Sequence, residues 1–98
     1  MNMAVSPENL RGDSGGRAYE RLVGCFVAAL GTMPEEVVPD LAYQSIEHWD
    51  SLGHMSLVAV IECEFDLVFD TDDILEMASV RHAVAILAKH GVDIGPPE

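Results

Sequence analysis

From Arg17 onward the apolar residues Tyr19, Leu22, Val23, Phe26, Val27 and Leu30 recur at the three-and-four spacing of one helix face, and Gly31 follows as a C-terminal stop. This pattern predicts a first helix from about Arg17 to Leu30. Thr32, Pro34 and Glu35 then suit a short capped turn: Thr32 caps, Pro34 is tolerated in the first turn, and Glu35 is placed to reach back. Residues 38–50 include Pro39 and hold no sustained period, so a long irregular loop is expected. Its apolar members Leu41, Ile46 and Trp49 favour a loop packed on the core over a free linker.

A second helix opens at Ser51. Leu57, Val58, Ile61 and Phe65 form its inward stripe, while Leu52, Met55, Ala59 and Val60 carry apolar character well beyond that face. A bundle this small can hardly bury such a helix all round, so part of it should present an apolar surface to partners. Asp70 or Thr71 can cap a short third helix through Met77, and Ser79 can cap a fourth. In the fourth, Val80, Ala83, Val84 and Leu87 again follow helical spacing, and Gly91 ends it. No alternating strand pattern competes, although residues 65–70 are compatible with extended chain.

These elements define an all-α chain: an antiparallel four-helix bundle with a short third helix and a long first loop. The folded domain is expected over 17–91. Residues 1–16 mix Ser, Pro, Asn, Gly and charge without periodicity and are read as a flexible leader. Residues 92–98, with Pro96 and Pro97, are read as a flexible tail.

Composition narrows the function classes. With 49% hydrophobic and 22% charged residues in 98, one small folded domain is expected, too small for an enclosed catalytic pocket with its own lid. Five basic against seventeen acidic residues give a formal charge of −12. That charge repels nucleic acid and anionic membranes and favours partners that present Lys and Arg patches. No apolar run reaches the length of a membrane span and no secretion signal is evident, so a cytoplasmic monomer is expected. Cys25 and Cys63 lie far apart in apolar helical patterns and read as small buried thiols rather than a disulfide or a metal pair.

The candidate chemistry centres on Trp49-Asp50-Ser51-Leu52-Gly53, which puts a hydroxyl where a loop meets a helix start. Free amides and the aligned peptide dipoles favour negative charge at that end, so a phosphodiester on Ser51 would sit where a helix prefers it. Taken alone, Ser51 reads more readily as a simple N-cap.

Asp50-Ser51-Leu52, followed by Leu57, Val58, Ile61, Glu62, Glu64, Phe65 and later Asp72, resembles the acyl carrier protein family. The resemblance runs from the first helix near Arg17 to the fourth near Ala88. It implies that Ser51 receives 4′-phosphopantetheine from coenzyme A, and that cargo rides as a thioester on the arm's terminal thiol. The chain itself would not be an enzyme. The implied partners are a phosphopantetheinyl transferase, a cargo-loading ligase or acyltransferase, and a downstream acyl-processing enzyme. The resemblance also implies docking through the second helix and adjoining loop, with Asp50, Leu52, Met55, Ser56, Ala59, Glu62 and Glu64 as candidate contacts. Carriers of fatty acid synthesis have more acid early in this helix, where this chain has Gly53, His54, Met55 and Ser56. With Trp49, that segment looks more like discrete carriers of specialised biosynthesis of the polyketide or nonribosomal type, with acyl, hydroxyacyl or aminoacyl cargo. Trp49 is expected to pack the loop, with contact to arm and cargo as the alternative.

Three other readings compete. A cofactor-free acidic helical interaction domain would explain the apolar second helix and the acidity, but not the placement of Ser51. A small Ser hydrolase is suggested by Asp50, Ser51 and His54, and the tripeptide resembles the Gly-Asp-Ser-Leu esterases. Three such residues within one turn cannot easily build the nucleophile, base and orienter chain, and the Gly-x-Ser-x-Gly elbow is absent. A calcium site among Asp66, Asp70, Asp72, Asp73 and Glu76 lacks the glycine of an EF-hand, since a loop starting at Asp70 puts Leu75 there. Solvated capping acids are the expected reading of that cluster. His48, His54, His82 and His90 show no tight ligand spacing, and surface positions are expected for most of them.

Overall fold

Residues 14–94 are described by the structure, a computed structural model. Among them are four α-helices: α1 (Ser14–Leu30), α2 (Ser51–Phe65), α3 (Thr71–Glu76) and α4 (Val80–Lys89), with a single 3-10 turn at Pro34–Glu36. The described chain is a small all-helical bundle without named strands. Helix α1 starts three residues before the expected start at Arg17, because Ser14, Gly15 and Gly16 offer no apolar residue in the sequence to mark it. The rest of the expected leader, 1–13, and tail residues 95–98 lie outside the described residues.

The core is built from the faces the periodicity marks. Leu22, Cys25, Phe26 and Leu30 of α1 meet Leu57, Val58 and Ile61 of α2, and α4 adds Val80, Ala83, Val84, Ile86 and Leu87. Phe65 is only partly buried and packs at the margin of this core. Gly31 and Gly91 end α1 and α4 with φ of 69° and 88°, in the left-handed region where a Cβ is costly. Asp66 closes α2 in the same region, with φ 56°.

The long loop packs as expected. Leu41 and Trp49 are buried, and Ile46 is half-buried against the core. Its backbone is tied to the start of α4 by Tyr43 N to Ala78 O at 2.9 Å, Val80 N to Leu41 O at 2.9 Å and Arg81 N to Pro39 O at 3.0 Å. These bonds hold the stretch 39–43 against α4 and so fix where the Tyr43 ring stands.

Several expectations are corrected. In the turn after α1 the residue that reaches back is Glu36, not Glu35: its carboxylate accepts from Met33 N at 2.9 Å and from the Thr32 hydroxyl. With Pro34 as the first residue of the turn, Glu36 is its third, the position from which a side chain reaches the preceding amide. The Thr32 and Met33 bonds hold the Glu36 carboxyl below its ordinary value. Cys25 is buried, but Cys63 is exposed, because it stands two residues past Ile61 and so turns away from the core. Burial pushes the Cys25 thiol up to about 11. Part of the expected tail packs on the fold: Val92 N bonds Leu87 O at 2.8 Å, and Ile94 enters the core. A lone apolar residue after Gly91 carries no period, so its burial leaves no mark on the sequence pattern.

Asp73 is the largest departure within the acidic cluster. It is fully buried rather than solvated, with the Lys89 ammonium on Oδ1 and His90 Nε2 at 2.7 Å from Oδ2. The Lys89 and His90 bonds pull its carboxyl down to about 2, and Lys89 is raised in turn by the carboxylate. Asp73 thus joins the first turn of α3 to the last turn of α4. Helix α3 is capped by Asp70, whose Oδ1 accepts from Asp73 N at 2.8 Å, and α4 by Ser79, whose hydroxyl accepts from His82 N at 3.1 Å.

Candidate functional site

The start of α2 is built so that Ser51 does not cap it. Asp50, in extended conformation, is the N-cap: its Oδ1 accepts from Gly53 N at 2.9 Å. Ser51 is the first helical residue, exposed, with Oγ left for another partner. That partner is the Tyr43 hydroxyl at 3.1 Å. The simple N-cap reading of Ser51 is thereby corrected.

The loop can approach this helix so closely because of Gly53. A Cβ there would stand 1.9 Å from the His48 carbonyl oxygen, so only glycine lets the chain of 48–50 cross the first turn of α2. Leu30 Cδ2 would stand 3.1 Å from the same Cβ.

Behind Ser51 a framework of rings fixes the geometry. Trp49 is fully buried, meets Phe26 edge-on at 5.3 Å and donates from Nε1 to His54 Nδ1 at 2.9 Å. An acceptor Nδ1 places the imidazole proton on Nε2, which donates to the Ile74 carbonyl of α3 at 2.9 Å. The Tyr43 ring lies edge-on to both Trp49, at 6.4 Å, and His54, at 5.4 Å. Packing, the expected role of Trp49, is the one these contacts describe.

Ser51, Tyr43 and His54 line a cavity of about 320 Å³ whose remaining wall is apolar, including Met55, Ile74 and Met77. The two ring nitrogens of His54 are committed to Trp49 and Ile74, and the Asp50 carboxylate to Gly53 N. Asp50, Ser51 and His54 are therefore adjacent without forming a nucleophile, base and orienter chain. Among the described residues no group of three or more His, Cys, Asp or Glu side chains is placed to hold a metal ion.

Of the candidate docking residues, Asp50 is exposed but caps α2 through Gly53 N, and the other six divide in two. Leu52, Met55, Ser56 and Ala59 are all exposed and spaced along one side of α2. Leu52 is 79% and Met55 53% exposed, and Leu75 of α3, at 75%, lines the same cavity as Met55. Glu62 and Glu64 are instead engaged within the fold: Glu62 accepts from Phe69 N at 2.8 Å, and Glu64 pairs with Arg21 at 2.6 Å. Sequence reasoning missed Tyr43, which stands eight residues before Ser51 in a stretch without periodicity.

No helix among the described residues is long and apolar enough to cross a membrane. No protein-family model matches this chain, and no solved structure matches it.

Proposed function

We propose that this chain is an acyl carrier protein that bears 4′-phosphopantetheine on Ser51 and has no catalytic activity of its own. The observation that carries this reading is the division of labour at the start of α2. Asp50 caps the helix, so the Ser51 hydroxyl is exposed, uncommitted to the backbone and placed at the helix end that favours a phosphate. A serine serving only as a cap would occupy the position Asp50 holds. The resemblance in sequence supports the same site, and the antiparallel carrier-type arrangement of the four helices belongs to this proposal.

The residues present fit the group. Ser51 supplies the attachment oxygen, the amides of the first turn of α2 supply positive potential, and the apolar wall beside Ser51 suits the first atoms of an arm or its cargo. In loading, a bond from Ser51 Oγ to phosphorus replaces the P–O bond within the pyrophosphate of coenzyme A. Adenosine 3′,5′-bisphosphate leaves, and the hydroxyl proton passes to the transferase. When bound, the group supplies a terminal thiol that holds cargo as a thioester. The protein's own residues orient the attachment point and present it.

The exposed side Leu52, Met55, Ser56 and Ala59 is proposed as the docking surface. Partners with basic patches are drawn to the protein by its net charge of −12: a phosphopantetheinyl transferase, a loading ligase or acyltransferase, and an acyl-processing enzyme. A specialised pathway is proposed from the Gly53-His54-Met55 segment. Peptide mapping after treatment with coenzyme A and a broad-specificity transferase tests the site. The phosphopantetheinyl group is expected on the peptide containing Ser51, and its appearance on any other serine would refute the assignment.

A further inference from the structure

Three polar side chains line the cavity beside Ser51: Tyr43, Ser51 itself and His54. Both His54 nitrogens are occupied, Nδ1 by Trp49 and Nε2 by the Ile74 carbonyl. The Asp50 carboxylate takes the Gly53 amide and adds a like charge beside any phosphate on Ser51, which weakens what the helix end can offer. No Lys or Arg lines this cavity or the neighbouring hollow bounded by His48, Asp50 and Leu52. The one cavity-lining donor whose described hydrogen bond is to Ser51 is the Tyr43 hydroxyl, at 3.1 Å from Oγ.

Modification of Ser51 changes the character of that contact. In the free protein either hydroxyl can donate. Once Oγ is esterified it has no proton, and the modified side chain presents only acceptors at its root: the ester oxygen and the phosphate oxygens beyond it. Tyr43 then becomes an obligatory donor, and its bond becomes charge-assisted and stronger. Its aim is fixed beforehand by the edge contacts with Trp49 and His54 and by the backbone bond from Tyr43 N to Ala78 O.

We infer that Tyr43 is a positioning residue for the prosthetic arm, donating its hydroxyl proton to the phosphodiester on Ser51. This rests on the carrier reading and adds a second residue to the attachment site. The hydroxyl holds the root of the arm at the mouth of the cavity, and the tyrosine ring packs the loop whether or not the arm is present.

Tyr43→Phe separates the two roles, because it keeps the ring and removes the donor. Wild-type and Tyr43→Phe proteins are loaded to completion, as followed by intact mass, and compared by phosphorus-31 NMR. The phosphodiester resonance of the variant is expected to move away from the wild-type value and towards that of urea-unfolded loaded protein, while the melting temperatures of the unloaded proteins agree. A second measurement uses wild-type protein labelled at tyrosine Cζ. Loading is expected to displace the Tyr43 resonance and leave that of Tyr19, the other tyrosine, in place. Equal phosphorus shifts in the two loaded proteins, or a Tyr43 resonance unmoved by loading, would overturn this inference alone. Failure of the wild type to load would overturn the carrier reading and this inference with it.

Discussion

Trp49 donates its indole proton to His54 Nδ1 at 2.9 Å, so a fully buried loop residue is fastened to the first turn of α2 three residues beyond Ser51. The same imidazole donates to Ile74 O, making His54 a strut between loop, α2 and α3. His54→Leu keeps bulk but orphans the indole donor, which costs about 1–3 kcal/mol when buried. Since Trp49 is the sole tryptophan of the chain, its emission reports the change directly. Urea unfolding should show the loss of stability, and the folded-state emission should shift. Unchanged values in both would contradict the strut.

Gly53→Ala should destabilise the protein by about 1–3 kcal/mol, the range for overpacking a filled site. The added methyl would meet the His48 carbonyl oxygen, and the loop chain leading into Ser51 must move aside. Gly24, with nothing within 4 Å of an added Cβ and a helical position, provides the control. Gly24→Ala should leave stability unchanged or raise it, as chemical denaturation of the pair would show.

Asp50→Ala removes the cap of α2 and should cost about 1 kcal/mol, while Asp50→Ser retains a capping oxygen and should recover most of it. Equal stability of the two variants would mean that Gly53 N finds another acceptor.

Asp73 gives the fold an acid limb. Its carboxyl is depressed to about 2, so the stability it contributes is present above the unfolded carboxylate value, near 4, and is lost as pH falls through about 2. Lys89, raised by the same pair, is linked in the opposite sense: its share persists below the ordinary lysine value and disappears as alkaline pH removes its proton. Asp73→Asn should lower the melting temperature at neutral pH and flatten its fall between pH 4 and 2. The exposed pair Arg81–Asp40 has no such leverage, and Asp40→Asn should leave the melting temperature nearly unchanged.

Helical periodicity made the four helices legible, because each buries one apolar face and the period of that face survives in the sequence. Phe26, Leu57, Ile61 and Leu87 are where the spacing puts them. Features held by single residues in irregular chain were not legible. Tyr43 is placed by its amide bond to Ala78 O and Ile94 follows the bond from Val92 N to Leu87 O, both outside the periodic helices, and the exposure of Cys63 is hidden by the surplus of apolar residues on α2. Asp73 looked like one of several solvated acids, since nothing local marks its pairing with Lys89 and His90 sixteen and seventeen residues later. At the site, the motif singled out Ser51 but gave no sign that Asp50, rather than Ser51, caps α2. That choice depends on backbone conformation, and it is the capping by Asp50 that leaves the serine hydroxyl available.

Intact mass before and after incubation with coenzyme A and a broad-specificity phosphopantetheinyl transferase, with Ser51→Ala alongside, tests the carrier reading most directly. A gain of one phosphopantetheinyl group in the wild type and none in an equally folded Ser51→Ala protein is the predicted result. No gain in folded wild type with two unrelated transferases, or an equal gain in Ser51→Ala, would contradict it, the first outcome pointing to an acidic helical interaction domain without a cofactor.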